Sequence, residues 1–304
     1  MHLDTGHHLQ LDRNSKGTRY YRNAVERHWD PFDIDLSVDS ENLTEFLRED
    51  SEAELAFRMF RQSVARFGAG EQAVTEDLAP LAIALDSLDD QMFVTTHMYE
   101  EAKHTDFFDR YWRTVINPTE DALGLDRSSP TEARWFNDEY DELFERNERA
   151  MFALLSDPGP EEFARAYAHY HLVIEGILAQ TGYYGMQHSF SAETTDLPHL
   201  PGLYDGFTHI RQDEGRHVGF GMAKLKELVL TEDVDPRLLD ETVSELMPLV
   251  NAIAVEESDD AVSRGVQPEE LQRFAAEKHV QRMQQIQDAD TDLPDLETLT
   301  KLEG

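Results

Sequence analysis

Two histidines of this chain each follow a glutamate by three residues, within stretches of helical pattern. One motif runs from Glu101 to His104 with the sequence EAKH, and the other runs from Glu214 to His217 with the sequence EGRH. Residues three apart on a helix lie on the same face, so each motif presents a carboxylate oxygen and an imidazole nitrogen together. Oxygen and nitrogen donors of this kind suit iron and manganese.

Two further glutamates stand alone on apolar helix faces. They are Glu71, in GEQAVTEDLAPL, and Glu175, in HLVIEGILAQ. Two single glutamates and two Glu-x-x-His motifs, one from each of four helices, are the ligand set of helix bundles that hold two iron or manganese ions. The sequence therefore predicts a dinuclear metal centre, and with it oxygen chemistry rather than simple binding.

A metal site explains these motifs better than chance does, although acidic residues are abundant. Of the 13 histidines, only His104 and His217 have a glutamate three residues earlier. Glu175 lies among leucine, valine and isoleucine, and an isolated buried carboxylate would take up a proton or pair with a cation. Four glutamates and two divalent cations cancel in charge. The alternative is an ion pair between Glu175 and an arginine such as Arg165 or Arg211.

Two residues outside the ligand set are candidates for supporting it. Asp213 immediately precedes Glu214 and could accept a hydrogen bond from a ligand histidine, which would fix the histidine tautomer. Trp29, in HWDP, could donate its indole N–H to the same network. The sequence leaves open that Asp213 is a surface acid and that Trp29 only packs an N-terminal arm.

The elements that must position these residues are helices. A helical pattern runs through the chain without a strand pair or hairpin signal and predicts an all-α fold. We expect an N-terminal arm over residues 1–39, a single helical domain over 40–287 and an acidic, loosely ordered tail over 288–304. Helices are predicted at roughly 40–48, 51–86, 88–116, 130–155, 160–187, 198–230, 236–262 and 267–287.

Prolines indicate where two of these helices begin and where a third is interrupted. The sequence SPTE from Ser129 predicts a helix start with a capping box, and GPEE from Gly159 predicts another start. Pro80 lies inside an apolar stretch and is predicted to kink or break the helix that carries Glu71.

Composition excludes several classes of function. Against 27 basic residues the chain has 62 acidic ones, a net charge of -35 that would repel nucleic acid. The absence of cysteine rules out disulfides, thiolate metal sites and a cysteine nucleophile. No apolar run is long enough to span a membrane and no secretory signal is evident, so we expect a cytoplasmic protein. High acidity with only six lysines predicts a halophilic protein, the alternative being an ordinary acidic one.

Four segments resemble a known family in their order and spacing. They are GEQAVTEDLAPL, MYEEAKHTDFF, YHLVIEGILAQTGYY and RQDEGRHVGFG, and the resemblance covers about residues 29–250. These segments are similar to the small subunit of ribonucleotide reductase and more closely to its relatives, the manganese/iron ligand-binding oxidases. The resemblance implies a ferritin-like four-helix bundle with additional helices around it.

Three observations favour the oxidases over the reductase subunit. Phe108 stands where many reductase subunits carry a radical-bearing tyrosine, although some metal-only reductase subunits also have phenylalanine there. No tyrosine follows Tyr204, whereas reductase subunits use a tyrosine near the C-terminus to pass the radical to the large subunit. The oxidases carry a valine three residues after the first ligand and a tyrosine five before the third-helix ligand. Those positions are Val74 and Tyr170 here.

The resemblance also implies roles for the site residues. Val74 and Tyr170 would become joined by an ether cross-link as the centre activates dioxygen, since the valine β-carbon bears a tertiary C–H bond open to oxidation. The cofactors would be one manganese and one iron, with two irons as the alternative. The implied ligands are Glu71, Glu101 and His104 for manganese, and Glu175, Glu214 and His217 for iron, with Glu101 as the bridge.

Partners follow from the same resemblance. Family members hold a long-chain fatty acid at the metals and commonly form homodimers. Apolar lining candidates here, which any helix core would also need, are Phe107, Phe108, Leu172 and Ile174. We therefore expect an enzyme that activates dioxygen for the two-electron oxidation of a bound hydrophobic ligand. The alternatives are a ribonucleoside-diphosphate reductase small subunit with a large-subunit partner, and a non-catalytic metal-storage or lipid-binding bundle.

Overall fold

A computed structural model describes residues 11–49, 52–194, 196–256, 264–295 and Thr298. Over these residues the chain is all-α and contains no strand, which confirms the predicted fold class. The α-helices are α1 Lys16–Glu26, α2 Ser37–Glu49, α3 Ala53–Ala84, α4 Leu88–Tyr111, α5 Asn117–Leu123, α6 Asp138–Ala153, α7 Pro160–Tyr167, α8 Gln180–Ser189, α9 Pro201–Thr231, α10 Pro236–Glu256 and α11 Pro268–Gln287. None of the described helices is long and apolar enough to cross a membrane.

Four helical segments form the centre of the fold. Helix α3 packs against α4, and α9 packs against a π-helix, Ala168–Ala179, that continues α7. Contacts between α4 and α9 join these two pairs. The other helices surround this bundle: α1 lies against α4 and α9, α10 against α6 and the π-helix, and α11 against α8 and α9. This is the predicted ferritin-like bundle with additional helices.

Side-chain caps explain where two of the helices begin. Ser87 accepts a hydrogen bond from the backbone N–H of Asp90 at the start of α4. Asn137 does the same for Tyr140 at the start of α6. At the C-terminal end of helix α5, Gly124 has a φ of 70°, a left-handed conformation that favours glycine as a helix terminator.

The predicted helix start at Ser129 is wrong, since α6 begins only at Asp138. The local capping interaction does form, because the Ser129 N–H donates to Glu132 Oε1 over 2.6 Å. It initiates a turn and a short 3-10 helix, Ala133–Trp135, after which the backbone becomes extended. The start predicted at Gly159 is confirmed, with Gly159 as the N-cap of α7 and a proline at its first position.

Helix α3 continues through Pro80 to Ala84, so the predicted break is wrong, and the alternative of a kink stays a prediction. Proline has no backbone N–H and therefore deprives the carbonyl of Glu76, four residues earlier, of its helical donor. Glu76 is exposed, so water can replace that donor.

The segment predicted as one helix over 160–187 is helical throughout but changes its winding. Between α7 and α8 it forms the π-helix Ala168–Ala179, in which hydrogen bonds join residues five apart. Tyr170 and Glu175 are five residues apart and so stand about one turn from each other on the same side. In an α-helix they would diverge, which is why spacing alone could not place Tyr170. A second π-helix, Trp112–Ile116, continues α4 into α5.

The predicted arm of residues 1–39 contains α1 and a 3-10 helix, Pro31–Asp33, and its Trp29 is buried. Residues 1–10 lie outside the described part of the chain, as do 296, 297 and 299–304 of the predicted tail. The tail begins beside α9, where Lys226 Nζ donates to the carbonyl of Asp288 over 2.7 Å. The proposed domain boundaries stay a prediction.

Candidate metal centre

The first group of ligand atoms joins helices α3, α4 and α9. Glu71, Glu101, His104 and Glu214 are all buried, and their ligand atoms lie within 4.8 Å of one another. His104 Nδ1 is 3.3 Å from Glu71 Oε2, 3.4 Å from Glu101 Oε2 and 3.5 Å from Glu214 Oε1. We call these four residues the first cluster.

A second group joins α4, the π-helix Ala168–Ala179 and α9. Its buried members are His97, Glu101, Glu175 and His217, again with ligand atoms within 4.8 Å of one another. His217 Nδ1 is 3.0 Å from Glu101 Oε1 and 3.4 Å from Glu175 Oε1. We call these four residues the second cluster. The two clusters together bring all six predicted ligands into one site.

Two glutamates connect the clusters. Glu101 places Oε2 near His104 and Oε1 near His217, as a bridging carboxylate would. Glu214 lies 3.5 Å from a histidine on either side, with Oε1 near His104 and Oε2 near His217. The predicted assignment of Glu214 to the second metal therefore stays a prediction, since its distances favour neither cluster.

Several ligand atoms of the clusters are buried without a hydrogen-bond partner among the described residues. They are Glu101 Oε2, Glu175 Oε2, Glu214 Oε2 and His217 Nδ1. Buried polar atoms of folded proteins almost always have a partner. Because these four atoms all belong to predicted metal ligands, the residues present fit a pair of divalent cations.

The electrostatics of the buried glutamates also indicate that the site fits cations. Burial, strengthened by neighbouring glutamates, raises the pKa of Glu71 and of Glu175 well above the usual value. The pKa of Glu214 is raised for the same reasons. Burial would also raise the pKa of Glu101, but hydrogen bonds from the surrounding histidines outweigh it and hold that pKa well below the usual value. Four carboxylates this close need either protons or cations.

Asp213 and Trp29 lie next to the first cluster. Asp213 is only 1% exposed, so it is not a surface acid. Its Oδ2 lies 3.1 Å from His104 Nε2 and accepts a hydrogen bond from the Trp29 indole N–H over 2.8 Å. Lys103 Nζ lies 2.8 Å from the same oxygen, and Arg216 contacts the other. Both residues therefore occupy the supporting positions that the sequence suggested.

Neither of the two arginines suggested from the sequence is paired with Glu175. Arg165 is exposed, and Arg211 donates a hydrogen bond to Gln187 over 2.8 Å. Glu175 is in contact with His97 and His217 instead.

Sequence reasoning missed three residues of the site. His97 lies one helical turn before Glu101 and has valine rather than glutamate three residues before it, so it forms no Glu-x-x-His motif. Glu100 accepts a hydrogen bond from His217 Nε2 over 2.9 Å, as Asp213 does from His104. Tyr183 donates to Glu71 Oε1 over 3.0 Å. The pattern of glutamates and histidines around Glu101 could have revealed His97, but nothing local marked Tyr183.

A mostly apolar cavity of about 650 Å³ reaches the clusters. Glu71, Glu101, Glu175 and Glu214 are part of its wall, and so is Val74. Of the four lining residues proposed from the sequence, only Ile174 borders it. The other three (Phe107, Phe108 and Leu172) are buried in the helix core. The cavity extends instead between α3, α8, α10 and α11, whose apolar side chains could not be paired from the sequence.

Phe108 occupies a closely packed aromatic cluster. Its ring stacks on Phe67 with centroids 5.7 Å apart, and Phe67 stacks in turn on Tyr183 at 5.3 Å. Phe108 is 2% exposed and has no polar atom. The position one turn after His104 is therefore structural in this chain.

A helix bundle with two adjoining carboxylate–histidine clusters defines the class of dinuclear metal proteins. The family model described as "Ribonucleotide reductase, small chain" matches residues 13–284, and the chain belongs to this family. The family and the two buried clusters make the protein a dinuclear metal oxidoreductase.

Several solved structures are similar over almost the whole chain. One is a variant of an R2-like ligand-binding oxidase with an anaerobically reconstituted Mn/Fe cofactor, at 29% identity and a TM-score of 0.76, covering 90% of this chain and 94% of that one. Another variant of such an oxidase, with a non-activated Mn/Mn cofactor, has 28% identity and a TM-score of 0.77, covering 92% and 98%. A third, with an aerobically reconstituted Mn/Fe cofactor, has 28% identity and a TM-score of 0.76 over the same shares.

Proposed function

We propose that the protein is a manganese/iron oxidase that activates dioxygen for the two-electron oxidation of a bound hydrophobic ligand. The observation that carries this proposal is the continuity of the apolar cavity with four glutamates of the metal centre. A storage bundle has no need of such a cavity, whereas an oxidase must hold an apolar substrate beside its metals.

Each cluster would hold one cation. The first cluster would bind manganese through Glu71, Glu101 and His104, and the second would bind iron through Glu175 and His217, with Glu101 between them. Glu214 can reach either ion. When bound, the two ions supply the binding site for dioxygen and two of the four electrons that reduce it to water.

The other two electrons come from the ligand or, in a first turnover, from the protein itself. In the proposed cross-link the Cβ–H bond of Val74 and the O–H bond of Tyr170 break and one Cβ–O bond forms, which releases two protons and two electrons. The Tyr170 hydroxyl donates to Glu101 Oε1 over 3.2 Å, so it lies beside the ligands. Val74 stands one turn after Glu71 and borders the apolar cavity.

A fatty acid or a similar amphipathic molecule fits this arrangement. Its carboxylate would be attracted by the cations in spite of the acidic protein surface, and its chain would lie along apolar wall residues such as Ile177, Leu178 and Val250. The homodimer, the cytoplasmic location and the salt-rich habitat inferred from the sequence belong to the same proposal.

The competing function is that of a ribonucleotide reductase small subunit, which the family match favours. It predicts that the protein restores nucleotide reduction when mixed with a large subunit from the same organism. The oxidase proposal predicts no such activity and dioxygen consumption without a large subunit.

Mass spectrometry tests the cross-link. Intact mass should fall by about 2 Da, the two hydrogens lost, after the protein is loaded with both metals in air. Tyr170→Phe and Val74→Ala should abolish this loss. Tyr167→Phe is the matched control, because Tyr167 is an equally buried tyrosine on the preceding turn, and it should leave the mass loss intact. An unchanged mass in fully metallated wild-type protein would refute the cross-link.

A further inference from the structure

His97 is a fully buried histidine whose ring points into the second cluster. It lies on α4, one turn before Glu101, and has 0% exposure. Its Nε2 is 2.8 Å from Glu175 Oε1 and 3.0 Å from Glu101 Oε1. Both oxygens belong to predicted metal ligands, yet His97 is not part of a Glu-x-x-His motif.

His97 Nε2 has more oxygen neighbours than a single hydrogen bond can account for. A third oxygen, the Tyr170 hydroxyl, lies 3.2 Å away, and an imidazole nitrogen carries at most one hydrogen. For metal–ligand bonds of about 2.1 Å, neighbouring ligands of an octahedron lie about 3.0 Å apart. The distances from Nε2 to the oxygens of Glu175 and Glu101 match that spacing.

A second imidazole shares the same carboxylates. The rings of His97 and His217 are stacked with centroids 3.5 Å apart and an interplanar angle of 25°. His217 Nδ1 lies 3.0 Å from Glu101 Oε1 and 3.4 Å from Glu175 Oε1, the two oxygens that also face His97 Nε2. Both nitrogens therefore lie beside one position between these oxygens.

We infer that His97 Nε2 is a third imidazole ligand of the dinuclear centre and binds the cation held by Glu101, Glu175 and His217. This inference rests on the proposed dinuclear function and deepens it. The second position is then surrounded by two imidazoles and the first by one, while Glu101 and Glu214 lie between the two positions. Imidazole suits iron and carboxylate suits manganese, so His97 gives the chain a means of directing iron to the second position.

The direct test is the crystal structure of the metal-loaded protein. The inference predicts a metal within about 2.3 Å of His97 Nε2, a bonding distance for nitrogen ligands. A metal bound by Glu175 and His217 but more than about 3 Å from His97 Nε2 would overturn it, because His97 would then only donate a hydrogen bond to Glu175. That result would leave the proposed function standing, whereas wild-type protein that binds no metal at either cluster would overturn both.

Competition between the metals supplies a second test. Wild-type protein and His97→Leu are equilibrated anaerobically with equal iron(II) and manganese(II), and the bound metals are then quantified. We expect the ratio of bound iron to manganese to fall about tenfold or more in His97→Leu, the scale of effect seen for residues that tune metal sites. An unchanged ratio would contradict the inference.

The matched control is His171→Leu. His171 is equally buried and lies with its ring centroid 5.6 Å from that of His97, and neither of its ring nitrogens has a hydrogen-bond partner in the described part of the chain. It belongs to neither cluster. Loss of this imidazole should leave the iron-to-manganese ratio unchanged. An equal shift in both variants would attribute the effect to packing and overturn the inference.

Discussion

The two clusters differ in their donors although they share Glu101. The first contains one histidine, His104, and the second contains two, His97 and His217. Both are buried and both are built on α4 and α9, so their environments are alike. A single additional imidazole, that of His97, would make the two metal positions unequal.

The clusters also have parallel supports. Asp213 accepts a hydrogen bond from His104 Nε2, and Glu100 accepts one from His217 Nε2. Arg216 contacts both acids and so ties the two supports together. His104 and His217 are thus held in matching ways, so the clusters differ mainly in their numbers of histidines and glutamates.

The largest effect is expected for Glu101→Ala, which removes the ligand common to both clusters. Metal affinity should fall at both positions by more than about 100-fold, beyond the effect of losing a supporting residue. Elemental analysis after loading and dialysis would measure it. Glu76→Ala, an exposed change on α3, is the control and should retain both metals. Retention of one metal by Glu101→Ala would show that the clusters do not depend on a shared bridge.

Matched substitutions of the two supporting acids, Asp213 and Glu100, should each affect a different metal position. Asp213→Asn should weaken the first position, and Glu100→Gln the second, each by about 10–100-fold in metal affinity. Site-resolved occupancies from anomalous diffraction would measure both. Asp213→Asn should also cost about 3–5 kcal/mol of stability, because it leaves the charged Lys103 buried beside a neutral group. If both variants lost metal at the same position, Asp213 and Glu100 would not support separate positions.

A pH series should distinguish metal-free from metal-loaded protein. Burial alone would lower the pKa of His104 and His217, but the surrounding carboxylates raise both well above the usual value. Glu71 and Glu175 also have raised pKa values. Above pH 7 the folded metal-free protein therefore holds more protons than the unfolded chain, and its stability falls as pH rises.

Cations replace those protons, so the melting temperature of the loaded protein should change less between pH 7 and pH 9. Each kcal/mol lost corresponds to roughly 2–4 °C for a chain of this size. Differential scanning calorimetry of both forms would measure the difference. Equal pH dependence of the two forms would show that the clusters do not exchange protons for metal.

The smallest effect is expected for Tyr183→Phe. This change removes the hydrogen bond from the Tyr183 hydroxyl to Glu71 Oε1 and should cost about 1 kcal/mol, or roughly fivefold in metal affinity at the first position only. Isothermal titration would measure it. An effect confined to the second position would be inconsistent with the assignment of Glu71 to the first cluster.

Much of this site could be predicted because helix periodicity is regular. The spacing of Glu101 and His104, repeated in Glu214 and His217, placed four ligands on helix faces without knowledge of the fold. The buried Glu175 stood out for its apolar neighbours. Trp29 and Asp213, more than 180 residues apart in sequence, were suggested but could not be paired, since that contact depends on how α9 packs against the arm.

Other features depended on tertiary structure. Nothing in the sequence marked the π-helix that brings Tyr170 and Glu175 to one side, because its apolar pattern resembles that of an α-helix. Of the four lining candidates that the sequence offered, only Ile174 borders the cavity, because the contributions of α8, α10 and α11 depend on the packed fold. The sequence could not show that Pro80 leaves helix α3 unbroken, because this depends on the exposure of Glu76, whose carbonyl loses its helical donor.

The central claim is that the two clusters hold different metals. Anomalous diffraction at the manganese and iron absorption edges, on protein purified from cells, tests it most directly. The account predicts manganese between Glu71 and His104, and iron between Glu175, His217 and His97. One element at both positions, or a single metal in the site, would contradict it.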